Sequence, residues 1–173
     1  MKGKWAEGIE PRNFVWVIKD SLAICERPGG YGEHHRRVRR QEEIIWVRQH
    51  EFDVLYSLIA GSHNLHNYEE LGMPFRHRPW PAHDHLAEFM EGLFVEIRSA
   101  ISAGQRVLLH KEVVGERLCG LMAAYLLWAG LVATGPQVTA IAERIFQQRL
   151  GPRGRELVEI AIGMEPQPET TEQ

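Results

Sequence analysis

Residues 107–127 read VLLHKEVVGERLCGLMAAYLL, and this stretch decides the fold. It begins with a short apolar run from Val107 to Leu109, passes through a polar turn that contains Gly115, and continues in a longer apolar run after Arg117. The first run is typical of a buried strand, and the second is typical of a helix that is covered on nearly all sides. The stretch therefore predicts a strand, a loop and a central helix.

The rest of the chain continues this alternation of short apolar runs and amphipathic segments. Strands are predicted at 14–18 and 22–25, joined by a tight turn, and at 53–59, 73–80 and 106–110. Helices are predicted at 41–49, 64–71, 84–103, 117–131, 135–150 and 153–162. Alternating strands and helices favour parallel pairing through crossover helices. We expect an α/β fold, a three-layer sandwich with a central, mostly parallel sheet.

The composition suits one compact domain. The chain has 173 residues, of which 44% are apolar and 25% are charged, and its net charge of -3 argues against a general affinity for nucleic acid. Two cysteines and no apolar run of about 20 residues indicate a cytoplasmic protein without a membrane span. We expect an N-terminal extension at 1–11, a domain at 12–163 and a disordered tail at 164–173.

The predicted loop between the strand and the helix is a candidate binding site. The carboxyl ends of parallel strands are where ligands bind in open α/β sheets. Helix amino termini present unpaired N–H groups and a partial positive charge, which suit anions such as phosphate. The loop that follows His110 combines both features.

The same loop carries a resemblance to a known family. Residues 107–127 resemble the signature of the cysteine-dependent protein tyrosine and dual-specificity phosphatases, which reads His, Cys, five residues, Arg. Two other segments, NFVWVIKDSLAICERPG at 13–29 and EEIIWVRQHEFDVLYSL at 42–58, look like the opening of the small dual-specificity members. The resemblance covers roughly residues 12–150. It implies a phosphotyrosine phosphatase II-like fold.

The resemblance also assigns a phosphate loop, in which the nucleophile is missing. The loop comprises His110, Lys111, Glu112, Val113, Val114, Gly115, Glu116 and Arg117. Lys111 stands where the family has its cysteine, so a phosphoenzyme through sulfur is excluded, whereas Arg117 keeps the family's oxyanion-binding guanidinium. Glu112 and Glu116 add carboxylates that would repel phosphate. Val114 stands where the family pattern has a glycine, and Leu118 replaces the family's Ser or Thr. We therefore expect a degenerate loop and a pseudophosphatase.

Four residues around the loop have alternative interpretations. Lys111 either pairs with one of the carboxylates Glu112, Glu116 or Asp84, or belongs to a solvated charged loop. Asp84 matches the general acid of compact family members, but we favour a role as the cap of the helix that starts at Leu86. His110 is expected to support the loop without reacting. Cys119 is interpreted as a core residue and not as a relocated nucleophile.

A basic run precedes the second strand–helix unit. It comprises His34, His35, Arg36, Arg37, Arg39 and Arg40, and it follows two glycines, so we expect a flexible loop there. The run is either a solvated loop or a patch that binds phospholipid headgroups, nucleic-acid phosphates or an acidic protein segment.

Three functions remain open at this point. The preferred one is a noncatalytic binding or scaffold domain with an unidentified protein partner. The alternatives are a phosphate or phosphoprotein binder that uses Lys111 and Arg117, and an enzyme with altered lysine and carboxylate chemistry. We expect no catalytic residue of the family type, no metal and no cofactor.

Overall fold

The computed structural model describes residues 8–30 and 36–164. Its strands are β1 (Val15–Ile18), β2 (Leu22–Glu26), β3 (Val54–Ser57), β4 (Phe75–His77) and β5 (Val107–Lys111). Its helices are α1 (Arg37–Gln49), α2 (Leu65–Glu70), α3 (Leu86–Ser102), α4 (Glu116–Trp128), α5 (Gly135–Phe146) and α6 (Gly151–Ile162). Every predicted strand and helix is present, within a few residues of the predicted bounds.

The five strands form one mixed sheet in the order β1-β2-β5-β3-β4. Only the β1–β2 hairpin is antiparallel, and the other three pairs are parallel. The prediction of a three-layer α/β sandwich with a mostly parallel sheet is confirmed. β5 lies in the middle of the sheet because it is flanked by β2 and β3.

Helices cover both faces of the sheet. On one face α1 and α2 pack through Ile44, Val47 and Tyr68 against the inward side chains of β2, β3 and β5. On the other face α3, α4 and α6 enclose the larger core, which includes Phe94 and Met122. α4 is the central helix, as predicted, since ten of its thirteen residues are buried.

One prediction about the basic run is wrong. α1 begins at Arg37 with Arg36 at the N-cap position, so Arg37 to Arg40 are helical and do not lie in a loop. The backbone N–H of Arg36 donates to the carbonyl of Gly29, and this bond fixes where the helix starts. His34 and His35 lie outside the described residues, as does the predicted tail from residue 165 onward.

Candidate functional site

The predicted loop lies at the carboxyl edge of the sheet. β5 ends at Lys111, and α4 begins at Glu116 after Gly115 in the N-cap position. Gly115 is extended, with a φ of -124°, and none of the positive φ angles in the described part of the chain falls between residues 111 and 117. Val114 therefore occupies a backbone conformation that a β-branched residue can adopt.

His110 is enclosed beneath the loop. Its side chain is fully buried, its Nδ1 donates to the carbonyl of Lys111 at 3.1 Å, and the Tyr68 hydroxyl donates to its Nε2 at 2.9 Å. Burial lowers the pKa of His110 to about 4, against the opposing effect of its bond to the Lys111 carbonyl. The neutral imidazole thus joins β5 to α2 from the inside.

Lys111 bends toward an aromatic ring. Its Nζ lies 4.2 Å from the ring centre of Trp80, which in turn packs against Phe89 of α3 at 5.5 Å between ring centres. Burial lowers the pKa of Lys111; Glu112 opposes this and Arg117 adds to it. The ring face attracts the ammonium form of the side chain. Trp80 follows β4 at the same edge of the sheet as Lys111.

The hypothesis of an ion pair at Lys111 is wrong. Across the residues that the structure describes, no salt bridge joins Lys111 to Glu112, Glu116 or Asp84. The cation–π contact with Trp80 takes the place of a carboxylate partner.

The carboxylate of Glu116 binds the amino end of a different helix, α6. Its Oε2 accepts a hydrogen bond from the backbone N–H of Arg153, in the first turn of α6. Gly151 lies directly beside this carboxylate, at a φ of +67°, and a Cβ there would overlap it. A carboxylate on the amino end of a helix satisfies unpaired N–H groups and complements the helix dipole. Glu116 therefore acts as a cap of α6, whose own N-cap residue, Leu150, offers no side-chain bond.

An open cavity of about 540 Å³ adjoins the loop. It is lined by Lys111, Glu112, Val113, Gly115, Glu116 and Arg117 of the loop, and by Pro152 and Arg153 of α6. Three cations and two carboxylates thus surround one space, and one of the carboxylates is the cap of α6.

The two α6 residues were missed by the sequence analysis because they follow the loop by more than thirty positions. They reach the cavity because α4 and α6 touch where Gly120 meets Gly154, so closely that a Cβ at Gly120 would overlap the Gly154 backbone. A glycine in each of two apolar helices was the available signal for such a crossing.

Neither thiol reaches this cavity. Cys25 and Cys119 are both free and both fully buried. Burial raises the pKa of Cys119 to about 12, and burial followed by the nearby Glu43 raises that of Cys25. Both sulfurs are therefore held as thiols, and the interpretation of Cys119 as a core residue is consistent with this packing.

Asp84 does not cap α3, contrary to prediction. A one-turn 3-10 helix, His83–His85, precedes α3, and the N-cap position falls on His85, without a side-chain cap bond. The extra turn moves Asp84 outside the position from which a side chain reaches the first free N–H groups. Asp84 is exposed, and its neighbour His83 contacts Glu156 of α6.

Arg40 belongs to a buried polar cluster beside the loop. Arg40 and Arg27 both donate to the Oδ1 of Asn64, at 2.5 and 3.1 Å. The backbone N–H of Arg27 in turn donates to the carbonyl of Glu112 at 3.5 Å. Burial lowers the pKa of Arg40, and the neighbouring guanidinium of Arg27 adds to this effect. This contact chain connects the amino end of α1 to the loop after β5.

Two kinds of feature are absent from the described ranges 8–30 and 36–164. No group of three or more His, Cys, Asp or Glu side chains is placed to hold a metal ion. No helix there has the length and apolar character to cross a membrane.

Comparison with known proteins finds similarity in structure only. No protein-family model matches the chain, and no curated protein matches its sequence. The kinase associated phosphatase, solved with its catalytic-site cysteine changed to serine, superposes with a TM-score of 0.71 at 14% identity, covering 89% of this chain and 98% of that one. The active form of Tk-PTP gives 0.68 at 15% identity, covering 88% and 98%.

A third solved structure has a different description. The human tyrosine phosphatase-like serine/threonine/tyrosine-interacting protein gives a TM-score of 0.61 at 12% identity and covers 86% of this chain and 93% of that one. At such low identities the likeness establishes the fold and leaves the activity open. The resemblance noted from the sequence is confirmed at this level: the chain has the fold of the cysteine-dependent protein tyrosine and dual-specificity phosphatases.

Proposed function

We propose that this chain is a pseudophosphatase, a phosphatase-fold protein that lacks thiol-based phosphatase chemistry and acts as a noncatalytic binding or scaffold domain. The observation that carries the proposal is the position of Lys111. It is the last residue of the central strand, at the mouth of the loop that leads into α4. An ammonium group there cannot attack phosphorus as a thiolate does.

The surroundings of Lys111 support this proposal. Neither of the two thiols lines the adjoining cavity, because Cys25 and Cys119 are buried in the cores on opposite faces of the sheet. Leu118, at the position that follows the arginine, is fully buried and has no hydroxyl to offer. Two buried free thiols also suit a reducing compartment, so we keep the cytoplasm as the proposed location.

A second candidate function is the capture of a phosphate or phosphoprotein without hydrolysis. The observation that favours it is the open cavity, in which Lys111, Arg117 and Arg153 face one space of about 540 Å³. The negative charge of Glu116 is already engaged by the N–H of Arg153. Glu112 and Glu116 both still oppose an incoming anion, but the three cations outnumber them, and the guanidinium of Arg117 can hold an oxyanion with two bonds.

The alternative of lysine chemistry has one supporting feature and one opposing feature. Burial lowers the pKa of Lys111, as a reactive amine requires. The Trp80 ring face, however, attracts the charged form of that amine. Trapping with borohydride in the presence of small aldehydes and ketones would label Lys111 if this chemistry operates, and the absence of a label would remove it.

The decisive experiment combines turnover and binding. We expect no hydrolysis of p-nitrophenyl phosphate by the natural chain, and none by Arg117→Ala. A triple variant, Lys111→Cys, Val114→Gly and Leu118→Ser, reintroduces the family pattern and tests whether the site accepts substrate at all. Phosphate hydrolysis by the natural chain would refute the proposal.

Calorimetry with phosphotyrosine and with inorganic phosphate separates the two binding functions. If either ligand binds without being hydrolysed, and Arg117→Ala abolishes this binding, the phosphate-binding function is favoured. If neither ligand binds, the scaffold function is favoured. Lys19→Gln is the matched control, because Lys19 is exposed in the β1–β2 turn at the other edge of the sheet.

A further inference from the structure

The amino end of α1 carries a concentration of positive charge. Arg36 is its N-cap residue, Arg37 and Arg39 follow in the first turn, and this turn holds no acidic residue and no side-chain cap. Cations at a helix amino end are unfavourable because the helix dipole places partial positive charge there. A bound anion would relieve both the uncapped N–H groups and the arginines.

This basic helix end lies at the same edge of the sheet as the loop after β5. α1 connects the parallel strands β2 and β3, so its amino end stands at their carboxyl ends. The contacts agree with this placement, since the N–H of Arg36 donates to Gly29 and the N–H of Arg27 donates to Glu112. The turn that follows β2 therefore bridges the start of α1 and the cavity.

Two of the nearby carboxylates are engaged by other groups of the chain. Glu43 accepts hydrogen bonds from the N–H of Gly29 and from Arg39, and only 1% of its side chain is exposed. Glu26 accepts a bond from Asn13. Arg36 and Arg37 are exposed, and within the described part of the chain no salt bridge includes either of them. Their charges are available to an external partner.

We propose that Arg36 and Arg37, together with the cavity cations Lys111 and Arg117, form one docking surface for an acidic peptide segment of a partner protein. The proposal rests on the proposed function, because it specifies the partner of a noncatalytic binding domain. The anionic groups of the segment are Asp and Glu side chains, which guanidinium groups bind through charge-assisted hydrogen bonds.

A peptide fits this surface better than a membrane or a nucleic acid does. Lys111 and Arg117 line a concave cavity, whereas a lipid surface or a duplex needs a broad basic face. The chain as a whole is acidic, with a net charge of -3, so long-range attraction to a polyanion is weak. Val38 and Val113 are 66% and 42% exposed among these cations and offer contacts to apolar side chains of a peptide.

The test is fluorescence anisotropy with three labelled peptides of one length. One is rich in glutamate, the second carries phosphoserine at some of these positions, and the third carries glutamine at all of them. We expect the natural chain to bind the glutamate peptide and not the glutamine peptide. Binding of the phosphoserine peptide without binding of the glutamate peptide would overturn the assignment to Asp and Glu side chains.

The key variant is Arg36→Ser with Arg37→Gln. We expect it to weaken binding of the acidic peptide about tenfold at low salt, with a smaller effect at high salt, since exposed charge pairs are screened. The control, Lys19→Gln with Arg48→Gln, removes the same charge from exposed positions at the opposite edge and should change binding by less than about twofold. The key variant should unfold at no lower temperature than the natural chain, because its substitutions improve the helix end.

Several results would overturn this inference. These are the absence of binding to either acidic peptide, equal binding by the key variant, and preferential binding of phosphatidylserine vesicles or RNA. Loss of peptide binding in Arg117→Ala but not in the key variant would restrict the site to the cavity. That result would overturn the docking surface and leave the proposed function standing. Phosphate hydrolysis by the natural chain would instead refute the proposed function, whatever the peptides do.

Discussion

The two sides of the carboxyl edge of this sheet differ in how they accommodate charged and polar groups. On the α4 side, the loop after β5 opens into a cavity with charges of both signs, and its carboxylate Glu116 caps α6. On the α1 side, the turn after β2 leads into a buried cluster in which Arg27 and Arg40 share the neutral Asn64 oxygen. One side keeps an open space, and the other fills the space with its own polar groups.

The amino ends of the helices on these two sides differ in the same way. α6 has no cap of its own but receives Glu116 from α4, whereas α1 has neither a cap nor an acidic residue in its first turn. The helix amino end on the α4 side is therefore capped by a carboxylate of the chain itself. The α1 side retains unsatisfied positive charge, which is the basis for expecting an external anion there.

The largest expected effect comes from His110, which faces the α1 side. Its folded-state pKa is about 4, whereas an ordinary histidine titrates near 6.5, so the unfolded chain binds the extra proton first. Stability should fall by about 3 kcal/mol as the pH falls from about 6.5 to about 4. Urea denaturation across this range should show that the free energy of unfolding of His110→Gln depends less steeply on pH than that of the natural chain. His66 is exposed, so His66→Gln should keep the pH dependence of the natural chain. If His110→Gln also keeps it, the lowered pKa of His110 is not its source.

The next effect concerns the α4–α6 crossing that brings Arg153 to the cavity. Gly120→Ala places a methyl group against the Gly154 backbone and should lower the free energy of unfolding by about 2 kcal/mol. Gly92→Ala is the matched control, because it lies in α3 with no atom within 4 Å of the new Cβ. It should leave stability unchanged or raise it by up to about 1 kcal/mol. If the two variants unfold at the same temperature, the close crossing of α4 and α6 is refuted.

A smaller effect tests the shared cap on the α4 side. Glu116→Ala removes the carboxylate from the amino end of α6 and should lower the free energy of unfolding by about 1 kcal/mol. Glu112→Ala, in the same loop but without a cap role, should change it by about 0.5 kcal/mol or less. Chemical denaturation measures both. If the two variants lose equal stability, Glu116 is not acting as a cap.

The smallest expected effect concerns the positive charge at the amino end of α1. Arg37→Gln removes a cation from the amino end of α1 and should raise the free energy of unfolding by about 0.5 kcal/mol. Arg48→Gln, at the carboxyl end of the same helix, removes a favourable charge and should lower stability by a similar amount. Differential scanning calorimetry at low salt compares the two, and shifts of the same sign would contradict the dipole argument.

The sequence predicted more of the fold than of the site. Strand and helix positions follow from hydrophobic periodicity, which is local, and every element was found. The start of α1 was misjudged because a helix normally begins with a cap or an acidic residue, and Arg36 and Arg37 give neither signal. Asp84 was misjudged as a cap because a short 3-10 turn, which the sequence does not mark, displaces the N-cap position to His85.

What the sequence determined by itself is the alternation of apolar runs that specifies a three-layer α/β sandwich, and the placement of a lysine at the end of its central strand. Tertiary structure alone decided which groups surround that lysine. Trp80 and Arg153 are brought to it by the ends of β4 and α6, which are far from Lys111 along the chain. Contacts of this kind depend on how helices and strands cross in space, and periodicity within a segment carries no information about that crossing.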